Sequence, residues 1–377
     1  MKILHCCLSC FYNDNYNYQE NLLPQRNKLD GHDVMIVAST EVFDGNKEIG
    51  YTQPGKYTNC DGIEVIRVPY KKINVKIANK IRAYQGVYSI LKDFSPDVIL
   101  FHGLGAWELL NVAKYAKKNG IKLYLDNHAN YFNSGTNWLS LKILHKIFYK
   151  KIILKALPVV EKVLCIGIRE MKFAQEVYGI PEDKIEYYPL GGYVLQEKEY
   201  EEKRKSIRTE LNLSEEHIFF LHSGKMGKEK KTVELIRAFK SVKNPQFCLC
   251  IAGSLLDDVE DIVLQEISKD KRIRYLGWKS GNELQTLLCG ADVYLQPGTP
   301  SSTLQNAMCY KCAIMAQPIE EYKFLLADEG MYVNDEDDMR HAFESISKNM
   351  VSDMADKTLK RAKKLLDYEK LAARLYE

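Results

Sequence analysis

Two lysines, Lys225 and Lys231, lie in the loop of the stretch IFFLHSGKMGKEKKTVELIRAF (218–239), and three consecutive hydroxyl residues, Ser301, Ser302 and Thr303, lie in ADVYLQPGTPSSTLQNAMCYKCAI (291–314). Ammonium groups and hydroxyls in such loops are suited to an anion, above all a phosphate. In each stretch an apolar run leads into the loop. Periodic apolar positions follow it, Val233, Leu235, Ile236 and Phe239 in one case and Leu304, Ala307 and Met308 in the other. Each therefore reads as strand, tight loop and amphipathic helix. A helix start presents unpaired backbone N–H groups and the positive end of the helix dipole, the elements of a phosphate site. Gly298 permits a close turn and Pro300 fixes its φ. One such junction is explained as well by Ser302 or Thr303 capping a structural helix. Two of them, one rich in backbone donors and one rich in ammonium groups, suggest a clamp on a diphosphate. Neither closes a Gly-x4-Gly loop with Lys-Ser/Thr, so a P-loop ATPase is not supported.

The remaining chain must position these groups. At 377 residues it is long enough for two domains, and its 46% hydrophobic and 27% charged composition is that of a soluble globular protein. A net charge of +3 gives no global field that would attract nucleic acid. No apolar run reaches the roughly 18 residues of a spanning helix, and the N-terminal MKILHCCLSCFYND lacks a cleavage signal, so a cytoplasmic location is expected. Ten cysteines include Cys7-x2-Cys10 and Cys309-x2-Cys312, which lie too far apart in the chain for zinc-ribbon spacing and read as buried free thiols.

From the N-terminus, a strand over 1–8, an aromatic loop over 9–18, a helix over 19–29 and a strand over 34–38 make a βαβ opening. Tyr12, Tyr16 and Tyr18 in the loop could offer stacking faces to a ligand or simply cover the sheet edge. A polar excursion spans 41–62, a helix is expected over 71–91, and a buried strand over 97–101 ends at His102. A further strand over 122–125 ends at Asp126-Asn127-His128, the edge at which α/β sheets bind ligands. SLKILHKIFYKKIILKALPVVE (140–161) places Lys142, Lys146 and Lys150 on one helical stripe and Ile143, Leu144, Ile147, Phe148 and Leu154 on the other side. Such a helix is either the solvated face of a core helix or a surface for anionic lipid. Asp335 to Asp338 resemble a metal-binding DxD but are better explained as acidic residues at a helix start.

Gly224, Lys225 and Lys231 (a G-[RK]-x5-K loop), IAGS (251–254), YLGW (275–278), ADVYLQP (291–297) and Ala307-Met308 occur in the order found in the retaining family 4 glycosyltransferases of the GT-B fold. GHDVMIVAS, His102-Gly103 and DNH (126–128) resemble the N-terminal half more loosely, so nearly the whole chain is similar to that family. The resemblance implies an α/β fold of two Rossmann-like, doubly wound parallel-sheet domains facing across a cleft. These would be an acceptor domain over 1–190, a nucleotide-sugar domain over 191–364, and a C-terminal helix over 365–377 packing back on the first.

The implied reaction is transfer of a hexosyl unit from a nucleotide diphosphate sugar to a saccharide or lipid-linked saccharide, with retention, in surface polysaccharide synthesis. His128, Lys225 and Lys231 would be catalytic. Gly224, Gly277, Trp278, Gly298, Ser301, Ser302, Thr303, Gln305 and Asn306 would hold the donor, and Tyr12, Tyr16, Tyr18 and His102 the acceptor. No cofactor or obligatory metal is expected, because lysines and backbone amides can neutralise the leaving diphosphate. Lipid-linked acceptors in the family favour peripheral contact of 140–161 with the inner face of the plasma membrane. The family's Glu-x7-Glu pattern is replaced by Gly298 and Asn306, with Gln305 a candidate to compensate. Two alternatives follow from the same fold and from that departure, a nucleotide-sugar epimerase or hydrolase and a catalytically degenerate binding protein.

Overall fold

The computed structural model describes residues 1–16, 18–43, 49–72, 75–134, 137–138 and 140–377. The other positions lie outside the described residues, among them parts of the expected loop 9–18, excursion 41–62 and helix 71–91. The chain forms two compact units, Met1–Pro189 with Glu369–Glu377, and Leu190–Tyr368.

Strands are β1 (Lys2–Cys7), β2 (Asp33–Ser39), β3 (Glu41–Phe43), β4 (Ile49–Tyr51), β5 (Gly55–Thr58), β6 (Glu64–Val68), β7 (Val98–Phe101), β8 (Lys122–Asn127), β9 (Val160–Cys165) and β10 (Ile185–Tyr187) in the first unit. Its main sheet runs β10-β9-β8-β7-β1-β2-β6-β5, parallel except for the β5–β6 pair, while β3 and β4 form a separate hairpin. Strands buried on both faces are continuously apolar, as in Val98–Phe101, because helices cover the sheet on either side. The terminal segment joins this unit through Tyr188 Oη donating to Leu371 O (2.6 Å), Tyr376 Oη donating to Asp30 Oδ2 (2.5 Å) and an Arg374–Glu186 ion pair.

The second unit carries β11 (Ile218–Met226), β12 (Phe247–Leu255), β13 (Ile273–Tyr275), β14 (Val293–Gln296), β15 (Ala313–Ala316) and β16 (Met331–Tyr332) in an all-parallel sheet ordered β13-β12-β11-β14-β15-β16. Its order reverses between β11 and β14. Buried His222 links these two strands, its Nδ1 bonding Leu295 O at 2.8 Å while its Nε2 lies 3.1 Å from Thr232 Oγ1. Asp335 caps the helix Glu336–Ser345 by accepting from Asp338 N, so the acidic run is a helix start, as its sequence suggested.

Two expectations are corrected. The helix expected over 71–91 is broken into Val75–Ile81 and Val87–Phe94, because Arg82 (φ 53°) and Gly86 (φ 76°) are left-handed and Tyr84 pairs with Tyr70 as a bridge. The basic helix winds as a π-helix over Ser140–Tyr149 before Lys150–Ala156, and this wider winding changes which residues share a face. His145, Tyr149, Ile152 and Ile153 are buried, whereas Ile143, Ile147 and Leu154, expected on the side opposite the lysine stripe, are exposed along with Lys142, Lys151 and Lys155.

Candidate active site

In the second unit the loops after β11 and β14 flank the point where strand order reverses, the usual ligand position of an open α/β sheet. They are bonded to each other. Thr299 N donates to Glu229 O at 3.0 Å, and Lys230 Nζ donates to Thr299 O at 2.9 Å and Pro300 O at 3.2 Å. Burial pulls the Lys230 ammonium pKa below its ordinary value, with Glu229 acting in the opposite sense.

Lys231 behaves differently from expectation. It takes the left-handed conformation (φ 56°) at the start of the helix Thr232–Ser241, and its Nζ donates to Asn334 O at 2.7 Å. That places its charge beyond β16, and the neighbouring Lys230 is the lysine on the 299–300 turn. Lys225 stands exposed near the end of β11.

Gly298 has a steric reason to lack a side chain. A Cβ built there would lie 2.1 Å from Glu229 O and 2.6 Å from Lys230 Cα. Gly298→Ala is therefore expected to push the two loops apart and to cost about 1–3 kcal/mol. Gly298→Glu, which restores the family's acidic residue, should not rescue anything, since its Cβ meets the same carbonyl. Thermal melts check this: both variants should melt lower than wild type, and a melt like wild type would refute the contact.

The hydroxyl row is partly self-satisfied. Ser301 N donates to Tyr322 Oη (2.9 Å), and Ser301 Oγ accepts from Thr303 N at 3.3 Å, so Ser301 satisfies the first amide of the short helix Thr303–Cys309. Ser302 is exposed and makes no side-chain cap bond. The Gln305 side chain is tied to the chain itself, its Oε1 accepting from Gly191 N at 2.8 Å. Asn306 lies against Gly192, where an added Cβ would come within 2.8 Å of Asn306 Oδ1. Gly277 is left-handed (φ 67°) and accepts from Gly253 N at 2.8 Å, and Trp278 beside it is 71% exposed.

In the first unit a buried polar chain lies at the carboxyl edge of β1, β7 and β8. His5 Nε2 donates to Asn27 Oδ1 (2.9 Å), His102 Nε2 donates to His5 Nδ1 (3.0 Å), and His102 Nδ1 donates to Asp126 Oδ2 (2.5 Å). Gly103 N donates to Asp126 Oδ1 at 2.6 Å. Burial works against a charged His102, but the Asp126 carboxylate outweighs it and His102 titrates at about 9. Burial first, then the His102 charge, pull His5 down to about 3. Burial would raise Asp126, yet the His102 and His128 charges hold it well below the usual carboxylate range. The resulting state is carboxylate, imidazolium, neutral imidazole.

His102 is thus unavailable to an acceptor, being buried with both ring nitrogens engaged. Tyr12 is also displaced from that role: it is fully buried, its ring lies 5.2 Å from the Arg67 guanidinium, and its hydroxyl accepts from Asn59 Nδ2. Tyr16 and Tyr18 are exposed, with ring centroids 5.2 Å apart. His128 stays accessible, donating Nε2–H to Gln19 Oε1 at 2.9 Å and lying 3.8 Å from Asp126 Oδ2. Desolvation opposes its charge and Asp126 favours it, with a net upward shift. His5 and Lys230 were not singled out from the sequence. Nothing local distinguishes Lys230 from the adjacent Lys231, and nothing local marks His5.

Two Rossmann-like parallel-sheet units with these loop positions define the GT-B class of fold. The sequence matches the model of the group 1 glycosyl transferases over residues 203–365 and that of glycosyltransferase family 4 over residues 25–191. The chain belongs to the group 1 glycosyltransferases and is a glycosyltransferase. Among solved structures it is similar to Anabaena Alr3699/HepE in complex with UDP (13% identity, TM-score 0.66, 99% of this chain and 98% of that one). It is also similar to a glycosyltransferase from Rickettsia africae ESF-5 (15%, 0.66, 99% and 96%) and to WaaG, a glycosyltransferase involved in lipopolysaccharide biosynthesis (13%, 0.62, 99% and 99%). At these identities the likeness is one of fold. Comparison with curated protein sequences finds no match.

Proposed function

We propose that the protein transfers a hexosyl unit from a nucleoside diphosphate sugar to a hydroxyl of a saccharide or lipid-linked saccharide, with retention, in the assembly of a surface polysaccharide. The observation that carries this reading is Lys230 Nζ seated on the 299–300 turn at the strand-order reversal. Breaking the glycosidic bond develops negative charge on the departing diphosphate, and fixed cations and amides lower that barrier. Lys230 and Lys225 supply the charge, and the Ser302 amide adds to it. No divalent ion is required for that neutralisation. A departing phosphate oxygen takes the acceptor proton on the face it leaves, which removes the need for a paired carboxylate. His128 is assigned to orienting the sugar, Trp278 and Gly277 to the base, Asn306 to the ribose through its amide, and Tyr16 and Tyr18 to the acceptor.

HepE has been crystallised with UDP and UDP-glucose, so uridine donors are the first to try. Incubation with a panel of nucleotide sugars and saccharide acceptors tests the proposal by product mass. Transfer to an acceptor supports it. Free sugar released without acceptor points to a hydrolase, and tight binding with no turnover points to a binding protein.

A peripheral site on the inner face of the membrane is part of the same reading. No helix among the described residues is long and apolar enough to cross a membrane. Exposed Ile143, Ile147 and Leu154 sit among lysines, and Phe132 (74% exposed) and Trp138 (68%) precede them in the chain, which supports apolar insertion combined with charge attraction. Replacing Lys142, Lys151 and Lys155 by Glu is expected to abolish sedimentation with phosphatidylserine vesicles. Unchanged sedimentation would remove the helix as the anchor.

A further inference from the structure

A cavity of about 490 Å³ opens in the first unit between the segment after β6 and the start of the helix Leu109–Asn119. Its wall includes Lys71, Gln85, Tyr88, Glu108, Asn111 and Lys114. We infer that it is a subsite for an anionic sugar, a hexuronate or a sugar phosphate. As an acceptor subsite it rests on the transferase reading; as a binding site it does not.

The position follows from the fold. Lys71 comes after β6 and Glu108 after β7, so both stand at the carboxyl edge of the sheet, where ligands of α/β units bind. The volume falls within the roughly 300–1,000 Å³ of ligand pockets. The cavity is built around a buried charge, because Glu108, fully enclosed, accepts from Tyr84 N (3.0 Å), Asn111 Nδ2 (2.7 Å) and Lys71 Nζ (3.0 Å). These bonds fix three parts of the wall at once. Tyr84 is further held by its bridge to Tyr70, with the two rings stacked at 4.7 Å, and Gln85 Nε2 donates to Tyr70 O at 2.7 Å.

The chemistry of the lining selects the occupant. Glu108 offsets Lys71, and Lys114 is exposed and has no ion-pair partner among the described residues, which leaves one positive charge over. An anion is the complement. Asn111 has committed its Nδ2 to Glu108, and its Oδ1 has no partner among the described residues and remains to accept from a hydroxyl. Tyr88 is exposed and braced edge-on against Tyr115 at 5.6 Å, a fixed aromatic face of the kind that covers the C–H side of a pyranose ring. A charge, an amide acceptor and an aromatic face together describe a sugar bearing a carboxylate or phosphate better than a bare anion.

The test titrates the full-length protein with methyl β-glucuronide, glucose 6-phosphate, methyl β-glucoside and inorganic phosphate, followed by saturation-transfer NMR, alongside UDP binding by calorimetry. At least one anionic sugar should bind tenfold or more tightly than both the neutral glycoside and inorganic phosphate, and which one binds names the anion. Lys114→Glu and Tyr88→Ala, both at exposed positions, should each weaken it at least tenfold with UDP binding unchanged. Equal binding of the neutral glycoside or of inorganic phosphate, no binding of either anionic sugar, or anionic-sugar binding unchanged in both variants would overturn the assignment. Sugar binding that persists in a protein that does not bind UDP would sink the transferase proposal and leave this subsite standing.

Discussion

Lys230→Ala is expected to weaken UDP binding about 10–100-fold, the effect of losing one charge-assisted bond, while Lys231→Ala should change it no more than about twofold, as at an ordinary surface position. The difference comes from one residue of phase. Lys230 ends the turn Lys228–Lys230 with its ammonium on Thr299 O and Pro300 O, within the two bonded loops. Lys231 leaves in the left-handed conformation, and its ammonium is held on Asn334 O instead of on the 299–300 turn. Two carbonyls occupy two of the three N–H groups of Lys230, so one donor and the full charge remain for a diphosphate oxygen. If that contact strengthens as the diphosphate departs, turnover should fall further than affinity, by about 100–1,000-fold, as when a single oxyanion donor is removed. Lys230→Met separates the charge from the packing. It keeps the aliphatic stem, so a loss equal to that of Lys230→Ala assigns the effect to the ammonium. Calorimetry with UDP and initial rates on the same samples provide both readings, and a Lys231 variant more damaged than the Lys230 variant would refute the reassignment.

The same one-residue phase marks what the sequence could and could not convey. Strand-loop-helix order was legible because it is written in local periodicity, and the apolar runs of β11 and β14 carry it openly. The choice between adjacent lysines was not, since it depends on a left-handed residue whose side chain is not glycine. The docking of Gly298 onto Glu229 joins segments about seventy residues apart, and no pattern in either segment announces it. Tyr12 looked exposed in a polar loop, but Arg67 from β6 and Asn59 close over it. Gln305 looked free, but a backbone amide more than a hundred residues earlier takes its carbonyl. In each case the missing information is a tertiary contact that overrides a sound local reading.

His102→Leu should destabilise the first unit by about 3–5 kcal/mol at pH 7, because it leaves the buried Asp126 carboxylate without its closest positive charge. The wild-type pH profile should carry the same signature. His102 titrates at about 9 in the fold and at 6.5 when unfolded, so its contribution is complete below pH 6.5 and is lost as pH rises through 9. That difference corresponds to on the order of 3 kcal/mol. His5 acts in the opposite sense. It stays neutral in the fold down to about 3, whereas the unfolded chain protonates it at 6.5, so stability is lost as pH falls from 6.5 toward 3. Asp126, depressed in the fold, contributes above the ordinary carboxylate range and fails only in strong acid. Denaturant unfolding between pH 5 and 10 follows the alkaline limb of His102, to which the upward-shifted His128 adds, and the upper part of the acid limb of His5. Wild type should lose stability between pH 6.5 and 9, and His102→Leu, already weaker, should lose much less over that interval. His5→Leu should retain the alkaline loss, because the Asp126–His102 pair remains. An alkaline limb of the same depth in His102→Leu would show that the buried chain does not carry the charge assigned to it.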